Sequence, residues 1–141
     1  MTEEVIKIMK SYHNICNYIH LPVQSGSNKI LKLMNRGYTR EDYINLIDTI
    51  KKHIPDCGLS MDMISGFCDE TDSDHAMTLS LMDYVKYDYG YMFKYSGVQA
   101  QKLFNDANEM LKKIIDNDWI ELKSRYCIQG YPSGLVDRGS S

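Results

Sequence analysis

The sequence holds no run approaching the roughly 18 consecutive apolar residues of a membrane span. Its first residues, Met1-Thr2-Glu3-Glu4, are acidic where a secretory leader would be basic and then apolar. Both absences make the cytoplasm the expected compartment. A basic excess is missing as well, with 16 Lys and Arg against 19 Asp and Glu and a net charge of −3. A nucleic-acid binder normally carries a basic stripe, so any phosphate-gripping surface is expected to lie mostly elsewhere. Cysteines are few: Cys16, Cys57, Cys68 and Cys127, no two of them at the close spacing of a zinc or iron–sulfur ligand set. In a reducing compartment they read as free thiols, some of them buried, and no metal is expected on the chain's own cysteines. A nucleophile elbow, a phosphate-loop glycine pattern and a His-Glu-x-x-His helix are all absent, as are internal repeats and low-complexity tracts.

What is present is an ordinary globular composition, 43% hydrophobic and 25% charged over 141 residues, enough for one domain or a piece of a larger one. Charge is uneven. Residues 1–53 carry 8 bases and 5 acids, residues 54–96 carry 2 and 8, and residues 97–141 carry 6 of each. The acidic middle block reads as a solvated face.

Periodicity divides the chain into alternating strands and helices. A helix is expected from Thr2 to about Tyr12, with Val5, Ile6 and Met9 at helical spacing and acids in its first turn. The stretch from Tyr18 to Val23 alternates and is rich in strand formers. Ser25-Gly26-Ser27 breaks it, a short helix follows from Asn28 to Asn35, and Gly37 is expected to end that helix. Thr39 looks like the cap of a third helix with Tyr43, Ile44, Leu46, Ile47 and Ile50 on its apolar face, stopped by Pro55. Gly58 to Phe67 is the second strand. Thr71 caps a helix to about Val85 with Met77, Leu81, Met82 and Val85 on one side, and Tyr89 to Ser96 is the third strand. Crossovers of about a dozen or more residues suit parallel strands, hence an α/β sheet or barrel.

A period of two sorts each strand into faces. Ile19, Leu21 and Val23 oppose His20, Pro22 and Gln24; Leu59, Met61 and Met63 oppose Ser60, Asp62, Ile64 and Gly66. In the third strand, Tyr89, Tyr91, Phe93 and Tyr95 oppose Gly90, Met92, Lys94 and Ser96. Each strand thus has an apolar or aromatic face and a face of small and polar residues. A structural sheet covered on both sides would be apolar on both, so the polar face suggests a barrel lumen or cleft that holds something.

Two junctions carry the sharpest local features. His20-Leu21-Pro22-Val23-Gln24-Ser25-Gly26-Ser27-Asn28 lies where a strand meets a helix, a place that suits an anionic group, and it reads equally as a capped turn without a ligand. Asp62 to Thr71 places Asp62 on the polar face and Gly66 where close approach is possible, with Glu70 as either a helix-dipole acid or a ligand contact. His20 and Asp62 are candidates for an acid–base pair. His13, His53 and His75 read as helix or loop surface and receive no role.

With these residues in view, the chain resembles the radical S-adenosylmethionine methylthiotransferases. The resemblance rests on His20 to Ser27 with Lys29 to Arg36 and Tyr38-Thr39-Arg40, on Ser60 to Phe67 with Glu70-Thr71 and Asp74, and on Tyr91 to Ser96. These blocks span about residues 13–96 in order. Leu21-Pro22-Val23 before Gln24-Ser25-Gly26-Ser27 is most similar to the tRNA branch that makes 2-methylthio-N(6)-isopentenyladenosine beside the anticodon. The threonylcarbamoyladenosine branch shares Gln-Ser-Gly-Ser, so the distinction rests on Leu-Pro-Val. The resemblance implies three β/α units of a partial (β/α) barrel of radical SAM type over residues 1–96, followed by a C-terminal helix. It also implies S-adenosylmethionine and [4Fe–4S] clusters as cofactors and tRNA as the partner of the whole enzyme. By motif, Gln24, Ser25 and Ser27 would stand at the lumen mouth, and Asp62, Ile64 and Gly66 would line the cofactor side. No catalytic residue is assigned.

The departures count equally. The family's Cys-x-x-x-Cys-x-x-Cys is absent. Residues 97–141 read as a divergent tail: a helix over 101–126 with Leu103, Phe104, Ala107, Leu111, Ile114 and Ile115 on one face, then a loop-like end. The expectation is a fragment of a tRNA methylthiotransferase, inactive as an isolated chain, that self-associates through open barrel edges. The alternative is a non-catalytic α/β module or remnant that binds a partner or only S-adenosylmethionine.

Overall fold

The computed structural model describes residues 1–95 and 102–115. The expectations for Ser96 to Ala100, the end of the last helix, Cys127 and the tail lie outside the described residues. Three parallel strands form one sheet in the order β1 (Tyr18–His20), β2 (Gly58–Ser65), β3 (Tyr89–Lys94). Between and around them run α1 (Glu3–Ser11), α2 (Asn28–Leu33), α3 (Arg40–His53) and α4 (Asp72–Val85), with a further helix, α5, over residues 102–115.

Local chemistry accounts for where the helices begin. Thr39 and Asp42 form a reciprocal capping box at the start of α3, and Thr71 and Asp74 repeat it at α4. α2 ends earlier than expected: Asn35, at φ 56°, takes the left-handed position, and Gly37 stands free of close neighbours beyond it. Asparagine tolerates that conformation better than most residues, which is why glycine is not needed there.

One face of the sheet is covered. Ile19 and Val23, then Leu59, Met61 and Met63, pack with Ile6 of α1, Tyr43, Ile47 and Ile50 of α3, Leu81, Met82 and Val85 of α4, and Leu111 and Ile114 of α5. Each such side chain contributes about 1.5–3 kcal/mol by leaving water. Two expected core members are exposed instead: Val5 on α1 and Met77 on α4, where the buried stripe runs through Thr78. A buried relay supports the segment after β1, with Tyr87 donating to the Tyr43 hydroxyl and Tyr43 donating to the Leu21 carbonyl. Tyr38 donates to the Val23 carbonyl, so the carbonyls left without a ladder partner are satisfied.

Candidate functional site on the open face of the sheet

The opposite face of the sheet carries the polar residues. Register pairs His20 with Ser60, Ser60 with Tyr89, Asp62 with Tyr91, and Ile64 with Phe93. Paired residues share a face, so the aromatic stripe of β3 stands beside Asp62 and Ile64. This corrects the grouping by parity, which set Tyr89, Tyr91 and Phe93 against the polar side. Gly90 and Met92 belong to the helix-covered face, where a Cβ on Gly90 would lie 2.7 Å from Met61 Cε and 3.4 Å from Leu111 Cδ2. Parity within one strand cannot say which face meets which in the next; the register decides that.

His20 spans two residues of β2. Its Nδ1 is 2.8 Å from Ser60 Oγ and its Nε2 is 3.4 Å from Asp62 Oδ2. One tautomer satisfies both contacts, with Nε2–H donating to Asp62 and Nδ1 accepting from the Ser60 hydroxyl. The anticipated His20–Asp62 pair therefore exists, and Ser60 is its third member. Tyr91 and Phe93 are half exposed beside it, at 49% and 52%.

Beyond β1 the chain rejoins β2 at a single bridge between Gln24 and Met63. His20 to Gln24 spans four steps against three from Ser60 to Met63, so one extra residue is accommodated, as in a bulge. Gln24 sits there at φ 71° and is half buried, donating to the Asp62 carbonyl and accepting from Ile64 N–H. The alternation that placed Gln24 on the face of His20 does not carry across this extra residue.

Ser25, Gly26 and Ser27 are turned toward α4. Ser25 and Ser27 are buried, with Ser25 Oγ 3.4 Å from Thr78 Oγ1 and the Ser27 hydroxyl donating to Asp74 Oδ1 at 2.7 Å. Gly26 N–H donates to Thr78 Oγ1 at 2.9 Å. A Cβ on Gly26 would lie 2.5 Å from Thr78 Cα, so glycine is required by space. The Gln-Ser-Gly-Ser motif thus joins β1 to α4, and Arg40 clamps the joint by donating to the carbonyls of Gly26 and Met77 and to Ser80 Oγ.

Asp74 is the electrostatic centre of that joint. Burial pushes its carboxyl up, but hydrogen bonds from Lys29, Thr71 and Ser27 outweigh burial and hold it well below the usual carboxylate range. Lys29 Nζ donates to Asp74 Oδ2 at 2.8 Å and to the Asp69 carbonyl at 2.6 Å.

At the end of β2, Gly66 takes φ 77°, a conformation open chiefly to glycine. Its N–H and that of Phe67 donate to Glu70 Oε2, at 2.5 and 3.1 Å. Glu70 is therefore a clamp on this turn. His75, read from sequence as surface, is 3% exposed. Its place on the buried stripe of α4 was the one signal available, because Thr78, Leu81 and Met82 follow it at helical spacing.

The three described cysteines are not gathered at one place. Cys16 and Cys57 precede β1 and β2, whereas exposed Cys68 follows β2 at the other end of the sheet. Burial, with Asp88 and Asp56 nearby, pushes the Cys57 thiol up to about 11. Among the described residues no group of three or more His, Cys, Asp or Glu is placed to hold a metal ion. Among those residues, too, no helix is long and apolar enough to cross a membrane.

Comparison with known proteins bears on these features. The family model described as the Radical SAM superfamily matches residues 1–82. The chain is 56% identical over 133 residues to the tRNA-2-methylthio-N(6)-dimethylallyladenosine synthase of Christiangramia forsetii, covering 92% of this chain and 28% of that protein. It is 56% identical over 139 residues to the synthase of the same name from Chloroherpeton thalassium, covering 96% of this chain and 31% of that protein. The corresponding protein of Karelsulcia muelleri is 52% identical over 125 residues. The chain spans under a third of the length of these relatives. An alignment over 92% of the chain runs past residue 96, so much of the segment expected to diverge also aligns with the relative.

Proposed function

Because this chain belongs to the Radical SAM superfamily, we propose that it forms the later part of the radical SAM domain of a cytoplasmic tRNA methylthiotransferase. The substrate of the whole enzyme is N(6)-isopentenyladenosine beside the anticodon, and the product carries a methylthio group on the adenine ring. The observation that carries the reading is the 56% identity to a tRNA-2-methylthio-N(6)-dimethylallyladenosine synthase over 92% of the chain. The three parallel strands then make up part of a barrel whose lumen is the open face.

The residues on that face fit S-adenosylmethionine. Asp62, oriented by His20, offers a half-buried acceptor for hydroxyl or amino donors. Ile64 and the neighbouring Phe93 offer an apolar bed for a flat ring. Gly66 presents backbone without a side chain at the rim. Gln24 borders the same rim through its bridge to β2. Ser25 and Ser27 serve by fixing that rim to α4. Bound S-adenosylmethionine would supply the radical chemistry at the adenine ring; this chain's residues bind, orient and exclude water. The described cysteines do not fit a [4Fe–4S] cluster, and the chain contains no Cys-x-x-x-Cys-x-x-Cys. The cluster ligands therefore belong to a further part of the enzyme, and this chain by itself has no turnover.

A chimera tests this reading. Residues 1–95 replace the matching segment of the Christiangramia forsetii relative, in a host lacking the methylthio modification. The expected result is 2-methylthio-N(6)-isopentenyladenosine in digested tRNA by mass spectrometry. A soluble, cluster-loaded chimera that leaves the tRNA unmethylthiolated would refute it.

A further inference from the structure

We propose that His75 is a positioning residue that holds the Gly66–Phe67 turn in place through Glu70. In α3 and α4 the residue before the cap and the fourth residue inside occupy positions where an apolar pair commonly closes a helix entrance. In α3 these are Tyr38 and Tyr43, both packed with the core. In α4 they are Glu70 and His75, whose side chains are 0% and 4% exposed, with Glu70 Oε1 3.7 Å from His75 Nδ1. That distance is within ion-pair reach and slightly beyond a hydrogen bond.

The two carboxylate oxygens divide the work. Oε2 accepts from the N–H groups of Gly66 and Phe67. Oε1 faces the imidazole, and neither Oε1 nor either ring nitrogen of His75 has a hydrogen-bond partner among the described residues. A buried carboxylate with one oxygen unmatched is costly, and a proton on Nδ1 directed at Oε1 offsets that cost. An apolar pair would close this entrance equally well but would leave Gly66 and Phe67 without their acceptor. The polar pair therefore ties the second turn of α4 to the rim of the open face. His75 itself is buried on α4 and acts through Glu70.

Nuclear magnetic resonance on the full, isotope-labelled chain tests this without any cofactor. In the unaltered chain, His75 Nδ1 is expected to carry a proton, and the Gly66 and Phe67 amide protons to be shifted downfield. His75→Phe should speed hydrogen exchange of those two amides by about tenfold, the scale of one charge-assisted hydrogen bond. His75→Gln, whose amide can donate to Glu70, should restore most of the protection. Equal loss in both variants, with circular dichroism unchanged, would reduce His75 to packing and overturn the proposal. An unprotonated Nδ1 in the unaltered chain overturns it whether or not the variants fold. That the turn serves S-adenosylmethionine rests on the reading above, and failure of the chimera would leave the resonance result to decide on His75 by itself.

Discussion

At the scale of single residues, two glycines of the candidate site matter for different reasons. Gly66 is favoured for its backbone, since φ 77° strains a residue with a Cβ, a strain that Gln24 carries at φ 71°. Gly26 is needed for its space, because a Cβ there would press on the Thr78 backbone and the Met77 carbonyl. Backbone of a helix cannot rotate away as a flexible side chain can. Gly26→Ala is therefore expected to lower stability by about 1–3 kcal/mol, the usual range for overpacking. Urea unfolding of the full chain measures this, and an unchanged midpoint would mean that α4 yields without cost. The motif around Gly26 was visible in the sequence, but its target was not. A glycine that admits a ligand and a glycine that admits a helix have the same neighbours in a linear string.

At the scale of elements, the joint between α2 and α4 depends on ionised Asp74. Its carboxylate caps its own helix through Thr71 and receives Ser27 and Lys29 from the β1–α2 side. Because its folded pKa lies below its unfolded value, the stability it contributes is fully present above about pH 4. That contribution is lost as pH falls from there toward the folded pKa. The unaltered chain should therefore lose denaturant resistance below about pH 4, and Asp74→Asn should be less stable at pH 7 while showing a flatter acid limb. Parallel acid limbs in the two proteins would show that Asp74 does not carry this dependence. Thr71 was readable as a cap, a signal local to one helix start. The contacts from Ser27 and Lys29 were not readable, since they join residues more than forty positions apart.

At the scale of the molecule, the described residues cover the three-stranded sheet on one side only. Parallel sheets are normally covered on both, and here Tyr18, Tyr91 and Phe93 remain about half exposed. On the proposed reading the rest of a barrel would enclose this face; among the described residues it is open, and β1 and β3 are the edge strands. The full chain is expected to self-associate, and Tyr91→Ser with Phe93→Ser to shift sedimentation toward monomer with little change in unfolding midpoint. Association that persists undiminished in the double variant would assign it to the strand edges.

The sequence by itself determined the alternation of strands and helices, the caps Thr39 and Thr71 and the covered face of the first two strands, because these follow from local spacing and side-chain chemistry. It also carried the motifs by which the family is known. The tertiary structure decided the rest. Register set the aromatic stripe of β3 beside Asp62, an extra residue before Gln24 broke the period of two, and α4 drew Ser25 and Ser27 away from the open face. It also buried His75 against Glu70. Each of these depends on which segments meet across tens of residues, and such meetings are set by packing and register, which leave no local periodic trace.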